Sequence, residues 1–375
     1  MHEVSKRNLG NCLMEAVKNS IQKVGILTFH FSNHNYGAVL QAYASYIALK
    51  KLGYEPQIIN LVPRSKLKQK IYSIIKRSGV FEKFRNRYLS LTEKFYPDSD
   101  LSTLNNMFDT FYVGSDQVWR PSMAGKLLQH YYLDFADDNK IKVAYAASFG
   151  TSHWEGSDET TEIIRPLIKR FDSISVRETE GVEICDKIFN VKATHALDPT
   201  LLLDENDYST IFDKNKSNLF KRDKYIGIYL LRDRTCKTEV PLRATEQIGL
   251  PSVNLYGDTI DIVGLEIMRF RKVEKWLHGI KNASFIVTDS YHCMIFSIIF
   301  RKNFVCLPNE RGGVARIKSL LRLLGLEDRY CDSKEPDFEF YSSKETDYDP
   351  VHERLKSLQD QSYVYLNKAL TMNRY

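Results

Sequence analysis

Along most of the chain, short apolar runs alternate with stretches in which apolar residues recur every three or four positions. Residues 24–29 form the first such run and predict a strand. Residues 37–52 (GAVLQAYASYIALKKL) have helical spacing and are closed by Gly53, at the point where a left-handed residue ends a helix. Residues 57–62 predict a second strand, completing a βαβ unit. Further strands are predicted at 109–113, 142–146 and 173–176. In the run 196–203, Pro199 bars its neighbour from helix, and the segment reads as a strand exit and linker. The alternation then resumes: strand 225–231, helix 274–281, strand 284–287, helix 291–300, strand 304–307, and helix 314–324 capped by Gly325. From Val351 the chain is again helical.

This order specifies parallel sheets with helices on both faces. A length of 375 residues exceeds one core. The pattern divides into two Rossmann-like domains, 1–200 and 201–350, with a terminal helix at 351–375 placed to cross back to the first. Ligands of such sheets bind beyond the carboxyl ends of the strands, so two of them imply a cleft.

Composition changes this picture little. The chain is 43% hydrophobic and 27% charged, the balance of a globular protein. Aromatic residues, at 12%, fill cores and also stack on sugar rings. The best apolar run, 294–300, is interrupted by Ser297 and falls far short of the roughly 20 residues of a membrane span. The opening MHEVSKRNLGNC has no apolar segment of a secretory signal. Six scattered cysteines without a CxxC pair argue against a disulfide framework and a zinc site, and suit a reducing cytoplasm.

Charge adds one local feature. Net charge is +6, and residues 64–94 hold ten Lys/Arg against two acids. Leu67, Ile71, Ile74 and Ile75 fall at helical spacing there, so 64–94 reads as a basic helical insert in the first domain. A solvated helix packed on its own domain is the favoured reading. Peripheral contact with anionic lipid at the inner face of the plasma membrane, or with a lipid-phosphate substrate, is the second. Nucleic acid is not expected, because no recognition motif accompanies the charge.

Candidate chemistry falls at the strand ends. After the first strand, Asn35 can cap the next helix and Gly37 allows close approach, which suits an anion at the helix N-terminus. After 109–113 comes Asp116, able to hold a hydroxyl or take its proton, although a turn aspartate bonding its own backbone fits equally. Ser148 and Arg177 leave two further strands. An arginine there grips a carboxylate or phosphate with two parallel hydrogen bonds; the plainer alternative is an ion pair with Glu178 or Glu180. The strongest segment is Asp289-Ser290-Tyr291-His292, where a strand ends, Ser290 can cap, and His292 enters the first helical turn.

Taken in order, NYGAVLQAYA, FYVGSDQVW, YAASFGT, SISVRETEG, LDPTLLL and TDSYHCMIFSIIF resemble the polysaccharide pyruvyltransferase family across residues 24–326. The resemblance implies a fold like that of B-type glycosyltransferases. It also implies phosphoenolpyruvate as donor and a cell-surface glycan or its lipid-linked precursor as acceptor. Carried onto this chain, it makes Arg177 and His292 donor-binding candidates, with Asp116 and Ser148 in the facing cleft. The chain departs from the pattern in one place. Some members carry Arg-Leu-His where it has Ser290-Tyr291-His292, and others follow the histidine with Gly where it has Cys293. A second donor-binding cation must then come from elsewhere, and Arg311 or Arg316, near the turn Arg311-Gly312-Gly313, is placed to supply it.

The implied reaction is transfer of pyruvyl to two sugar hydroxyls as a ketal, which needs a general acid and a general base. His292 is assigned to the phosphate and to proton delivery, Asp116 to the acceptor hydroxyl. No residue pattern calls for a metal or other cofactor. Two other functions fit the same architecture: a nucleotide-sugar glycosyltransferase, and a glycan- or phosphate-binding protein without turnover.

Overall fold

A computed structural model of the chain describes residues 22–63, 79–212, 224–262, 265–309, 314–333 and 335–371. It contains two parallel sheets. The first is built from β1 (Lys23–Leu27), β2 (Glu55–Leu61), β3 (Leu91–Phe95), β4 (Thr110–Val113), β5 (Ile141–Ala147), β6 (Ser173–Val176) and β7 (Thr194–His195), in the order β3-β2-β1-β4-β5-β6-β7. The second begins with β8 (Ile226–Tyr229) and β9 (Ser252–Asn254). The chain then makes an antiparallel hairpin, β10 (Gly257–Ile262) and β11 (Leu265–Phe270), and returns through β12 (Phe285–Thr288) and β13 (Phe304–Cys306). That sheet is ordered β13-β12-β8-β9. Strands such as Phe285–Thr288 are buried on both faces, which is why they read as continuous apolar runs rather than alternating ones.

Among the described residues, the helices of nine residues or more are α1 (Tyr36–Lys51), α2 (Val80–Tyr88), α3 (Asp158–Ile168), α4 (Thr179–Phe189), α5 (Glu239–Ile248), α6 (Val273–Asn282), α7 (Tyr291–Ile299), α8 (Val314–Leu324) and α9 (Tyr348–Leu370). Each sheet has one place where its order reverses. In the first, β1 is flanked by β2 and β4; in the second, β8 is flanked by β9 and β12. The crevice beyond the carboxyl ends at such a reversal is where open α/β sheets bind ligands.

An aromatic cluster joins the two sheets at those reversals. Tyr36, the first residue of α1, stacks on Trp276 of α6 with centroids 4.9 Å apart and planes 6° from parallel. Its hydroxyl donates to the carbonyls of Tyr256 (3.0 Å) and Arg271 (2.8 Å). Phe81 of α2 packs on Tyr36 and on Phe270 of the hairpin. Helix α9 reaches the first sheet: Gln359 and Tyr363 donate to the carbonyls of Leu201 and Leu202, and Tyr365 meets Ser173 at 2.9 Å. Among the described residues no helix is long and apolar enough to cross a membrane.

Two expectations need correction. Residues 64–94 are not one helical insert: Leu91–Phe95 is an edge strand of the first sheet, with Thr92 and Phe95 turned inward. Residues 64–78, with Leu67, Ile71, Ile74 and Ile75, lie outside the described residues. Helix α2 is held by its arginine. Arg85, buried, donates to the carbonyls of His30 (3.1 Å) and Ser32 (2.9 Å) and to the Asn33 side chain (3.1 Å), pinning the loop after β1. The run expected as a linker forms a 3-10 turn, Pro199–Leu202, buried throughout against α1.

Candidate active site

Segments leaving the carboxyl ends of strands in both sheets converge on one cluster of charged side chains. After β6 comes Arg177, its side chain fully buried. Nη1 donates to Asp198 Oδ2 at 2.8 Å and to Ser115 Oγ at 3.2 Å. The pairing is therefore with Asp198, not with Glu178 or Glu180. Asp198 is fixed in turn, since Oδ1 accepts from the Thr200 amide (3.0 Å) and hydroxyl (2.7 Å). Burial alone would raise this carboxyl. The His292 ring, Arg177 and Thr200 outweigh it and hold Asp198 well below the usual carboxylate range. Arg177 remains cationic: burial opposes its charge, but Asp198 and then Asp116 and Glu178 more than compensate.

From the second sheet, α7 delivers His292. Ser290 caps the helix, its Oγ accepting from the Cys293 amide at 3.4 Å. The imidazole then lies with Nε2 3.6 Å from Asp198 Oδ2, so one carboxylate joins Arg177 to His292 across the two halves. The other side of the ring rests on α1. A Cβ added to Gly37 would lie 2.1 Å from Nδ1, so this contact exists only because position 37 has no side chain. Asn35 caps α1, accepting from the Ala38 amide at 3.2 Å.

Tyr291 stands between two arginines. The Arg177 guanidinium is 5.1 Å from its ring centroid and that of Arg316, at the start of α8, is 5.5 Å away. Burial and then the neighbouring Arg177 lower the proton affinity of Arg316, and burial raises that of the Tyr291 phenol.

Asp116 has φ +78°, a left-handed value that an aspartate tolerates at some cost. Its Oδ1 accepts from the Gln117 amide at 2.9 Å and lies 3.9 Å from Arg177 Nη2.

Other expected site residues serve the frame. Ser148 does not face the cleft freely: its hydroxyl donates to Glu178 Oε1 at 3.0 Å. Asp289 accepts from the amides of Leu231 (2.5 Å) and Arg232 (3.2 Å) and so ties the exits of β8 and β12 together. Burial raises its carboxyl against those bonds. Arg311 lies outside the described residues. Asp198 and Glu178 join the cluster without having been marked as site residues by the sequence pattern, and Tyr291 joins it from within the segment that was marked for His292. For Asp198 the available signal was an aspartate held before proline at a strand exit.

Arg177 Nε and Nη2, Arg316 Nε, His292 Nε2 and Glu178 Oε2 are all buried without a hydrogen-bond partner. Each such atom costs roughly 1–3 kcal/mol or more if charged, and several around one point mark a place for a polar ligand. The small cleft there is lined by Arg177, His195, Asp198, Tyr291 and Arg316. A larger hollow of about 820 Å³, lined by Phe171, Lys192 and Tyr365 among others, opens near the amino ends of β6 and β7 and gathers none of these groups.

Among solved structures, the chain is similar to a Listeria monocytogenes protein described as a UDP-N-acetylglucosamine 2-epimerase, at 10% identity and TM-score 0.50, over 93% of this chain and 91% of that one. S. aureus MnaA, solved with UDP, gives 12% identity and TM-score 0.49 over 93% and 91%. UDP-GlcNAc 2-epimerase from Methanocaldococcus jannaschii gives 12% and 0.49 over 86% and 91%. At these identities the likeness is one of fold, the two-sheet architecture of B-type glycosyltransferases and epimerases. No curated protein matches the chain. The family model of polysaccharide pyruvyl transferase matches residues 35–311, from the cap of α1 through the second sheet, and the chain belongs to that family.

Proposed function

We propose that the protein transfers pyruvyl from phosphoenolpyruvate to two hydroxyls of a sugar, in a cell-surface glycan or its lipid-linked precursor, to form a ketal. The observation that carries this reading is the set of buried, unpartnered nitrogens on Arg177 and Arg316, which line one small cleft, with His292 joined to it through Asp198. Phosphoenolpyruvate brings a carboxylate and a phosphate, and a site for both needs convergent fixed donors shielded from water. Arg177 keeps Nε and Nη2 for the donor while Nη1 is spent on Asp198. Arg316 is the second cation and takes the place of the arginine missing before His292. His292, steadied between Asp198 and Gly37, holds the phosphate. Asp116 faces the acceptor side and takes the first hydroxyl's proton.

The Listeria monocytogenes relative is described as a UDP-N-acetylglucosamine 2-epimerase, so a sugar nucleotide is the competing donor. Thermal unfolding separates the two. A ligand that binds only the native state stabilises it by RT ln(1 + [L]/Kd), roughly 2.7 kcal/mol at a hundredfold excess over Kd. Phosphoenolpyruvate is expected to raise Tm more than UDP-N-acetylglucosamine does. A flat response to phosphoenolpyruvate beside a clear shift with the sugar nucleotide would transfer the assignment to a glycosyltransferase.

A further inference from the structure

We infer that Glu178, through Oε2, delivers the proton taken up by the methylene carbon of the donor; the inference rests on phosphoenolpyruvate being that donor. Glu178 directly follows Arg177 at the end of β6 and is 2% exposed. Its two oxygens have unlike surroundings. Oε1 accepts from the Ser148 hydroxyl (3.0 Å), the Phe149 amide (2.7 Å) and the Gly150 amide (2.9 Å). These donors converge because the β5 exit is bent, with Ala146 at φ +50° and Gly150 at φ +73°. Oε2 is buried and has no hydrogen-bond partner.

Tying down the β5 exit accounts for Oε1 but not for a bare Oε2. A protonated carboxyl has one accepting oxygen and one donating O–H. With three donors on Oε1, a bound proton must sit on Oε2. Glu178 stands beside the donor site because it directly follows Arg177 and bonds Ser148, which leaves the neighbouring strand end. With His292 assigned to the phosphate and Asp116 to the acceptor, the carbon is left to Glu178.

The step balances. The Oε2 proton passes to the methylene carbon, which becomes a methyl group and leaves positive character on the adjacent carbon. The first acceptor hydroxyl bonds to that carbon and gives its proton to Asp116. The bond to the phosphate oxygen breaks, the electron pair leaves with phosphate, and the proton on Asp116 follows it. The second hydroxyl closes the ketal and returns its proton to Glu178. Nothing is oxidised or reduced.

Glu178→Gln separates this role from a structural one, because the amide oxygen keeps all three bonds of Oε1 while the nitrogen at Oε2 cannot serve as the acid. The purified variant and wild type are incubated with ¹³C-labelled phosphoenolpyruvate and membranes from cells lacking the gene. Labelled pyruvyl in the glycan and the donor-induced Tm shift are both read. Glu178→Gln is expected to keep the Tm shift and to lose about 10²–10⁴-fold in transfer rate. If Glu178→Gln melts early, Glu178→Ala with added formate replaces it. Dose-dependent recovery of transfer supports the acid role, and no recovery overturns it. Transfer by Glu178→Gln within about threefold of wild type also overturns the inference. Wild type that neither binds the donor nor transfers pyruvyl would instead sink the functional reading on which it rests.

Discussion

Gly37 decides by one methyl group whether the site assembles. A Cβ there would lie 2.1 Å from His292 Nδ1, so Gly37→Ala must push the imidazole away from Asp198. Helix propensity favours Ala over Gly by roughly 1 kcal/mol, so stability should change little while the response to phosphoenolpyruvate falls. Kinetics beside a melting curve check this, and normal turnover in Gly37→Ala would remove His292 from the site. His30 gives a pH prediction. Burial pushes its imidazole down from 6.5 to about 4, despite hydrogen bonds to Asn60 and Thr28. Between those pH values the unfolded chain binds the proton that the native state excludes, so stability is lost as pH falls, by roughly 3 kcal/mol in total. Urea unfolding at pH 7 and pH 5 should show a smaller loss in His30→Gln than in wild type. Arg177 and His292 were legible in the sequence because each leaves a recognisable strand end. Asp198 and Glu178 were not: what makes them site residues is which side chains three other segments bring to them, and no local spacing encodes that.

Helix α8 follows its periodicity because Ile317, Leu320, Leu321 and Leu324 fall on one buried face, whereas α1 is buried on nearly every side. Around β3 and α2, charge obscured the pattern, since Arg85 and Lys94 read as solvent-facing although Arg85 is buried on carbonyls that only the folded loop presents. The 3-10 turn Pro199–Leu202 escaped notice because proline was read only as a stop, whereas here Asp198 caps the turn and its leucines join the core. The element that couples the sheets is the first turn of α1. Tyr36→Phe keeps the stack on Trp276 but leaves the Tyr256 and Arg271 carbonyls without this donor. A cost of about 1–3 kcal/mol is expected, and Tyr36→Leu should cost a further 0.5–1.5 kcal/mol or so for the lost stacking. Equal stabilities of Tyr36→Phe and wild type in denaturant would show that these bonds do not hold the halves together.

For the molecule as a whole, the meeting of strand ends from both sheets matters more than any single motif. Segments that follow β4, β6, β7, β12 and β13 carry Asp116, Arg177, Asp198, His292 and Arg316 to one place. The alternation of strands and helices made the two-sheet fold legible, but the sheet orders and the hairpin β10–β11 depend on long-range pairing that local periodicity does not report. The transfer proposed for this junction is that of pyruvyl from phosphoenolpyruvate to a glycan. Its most direct test is mass spectrometry of lipid-linked glycans after purified protein, ¹³C-labelled phosphoenolpyruvate and membranes from cells lacking the gene are combined. A glycan heavier by one labelled pyruvate less one water is expected, formed only with protein present and abolished by Gly37→Ala. Unchanged glycans beside slow release of free pyruvate, or sugar transfer from a nucleotide donor under the same conditions, would contradict it.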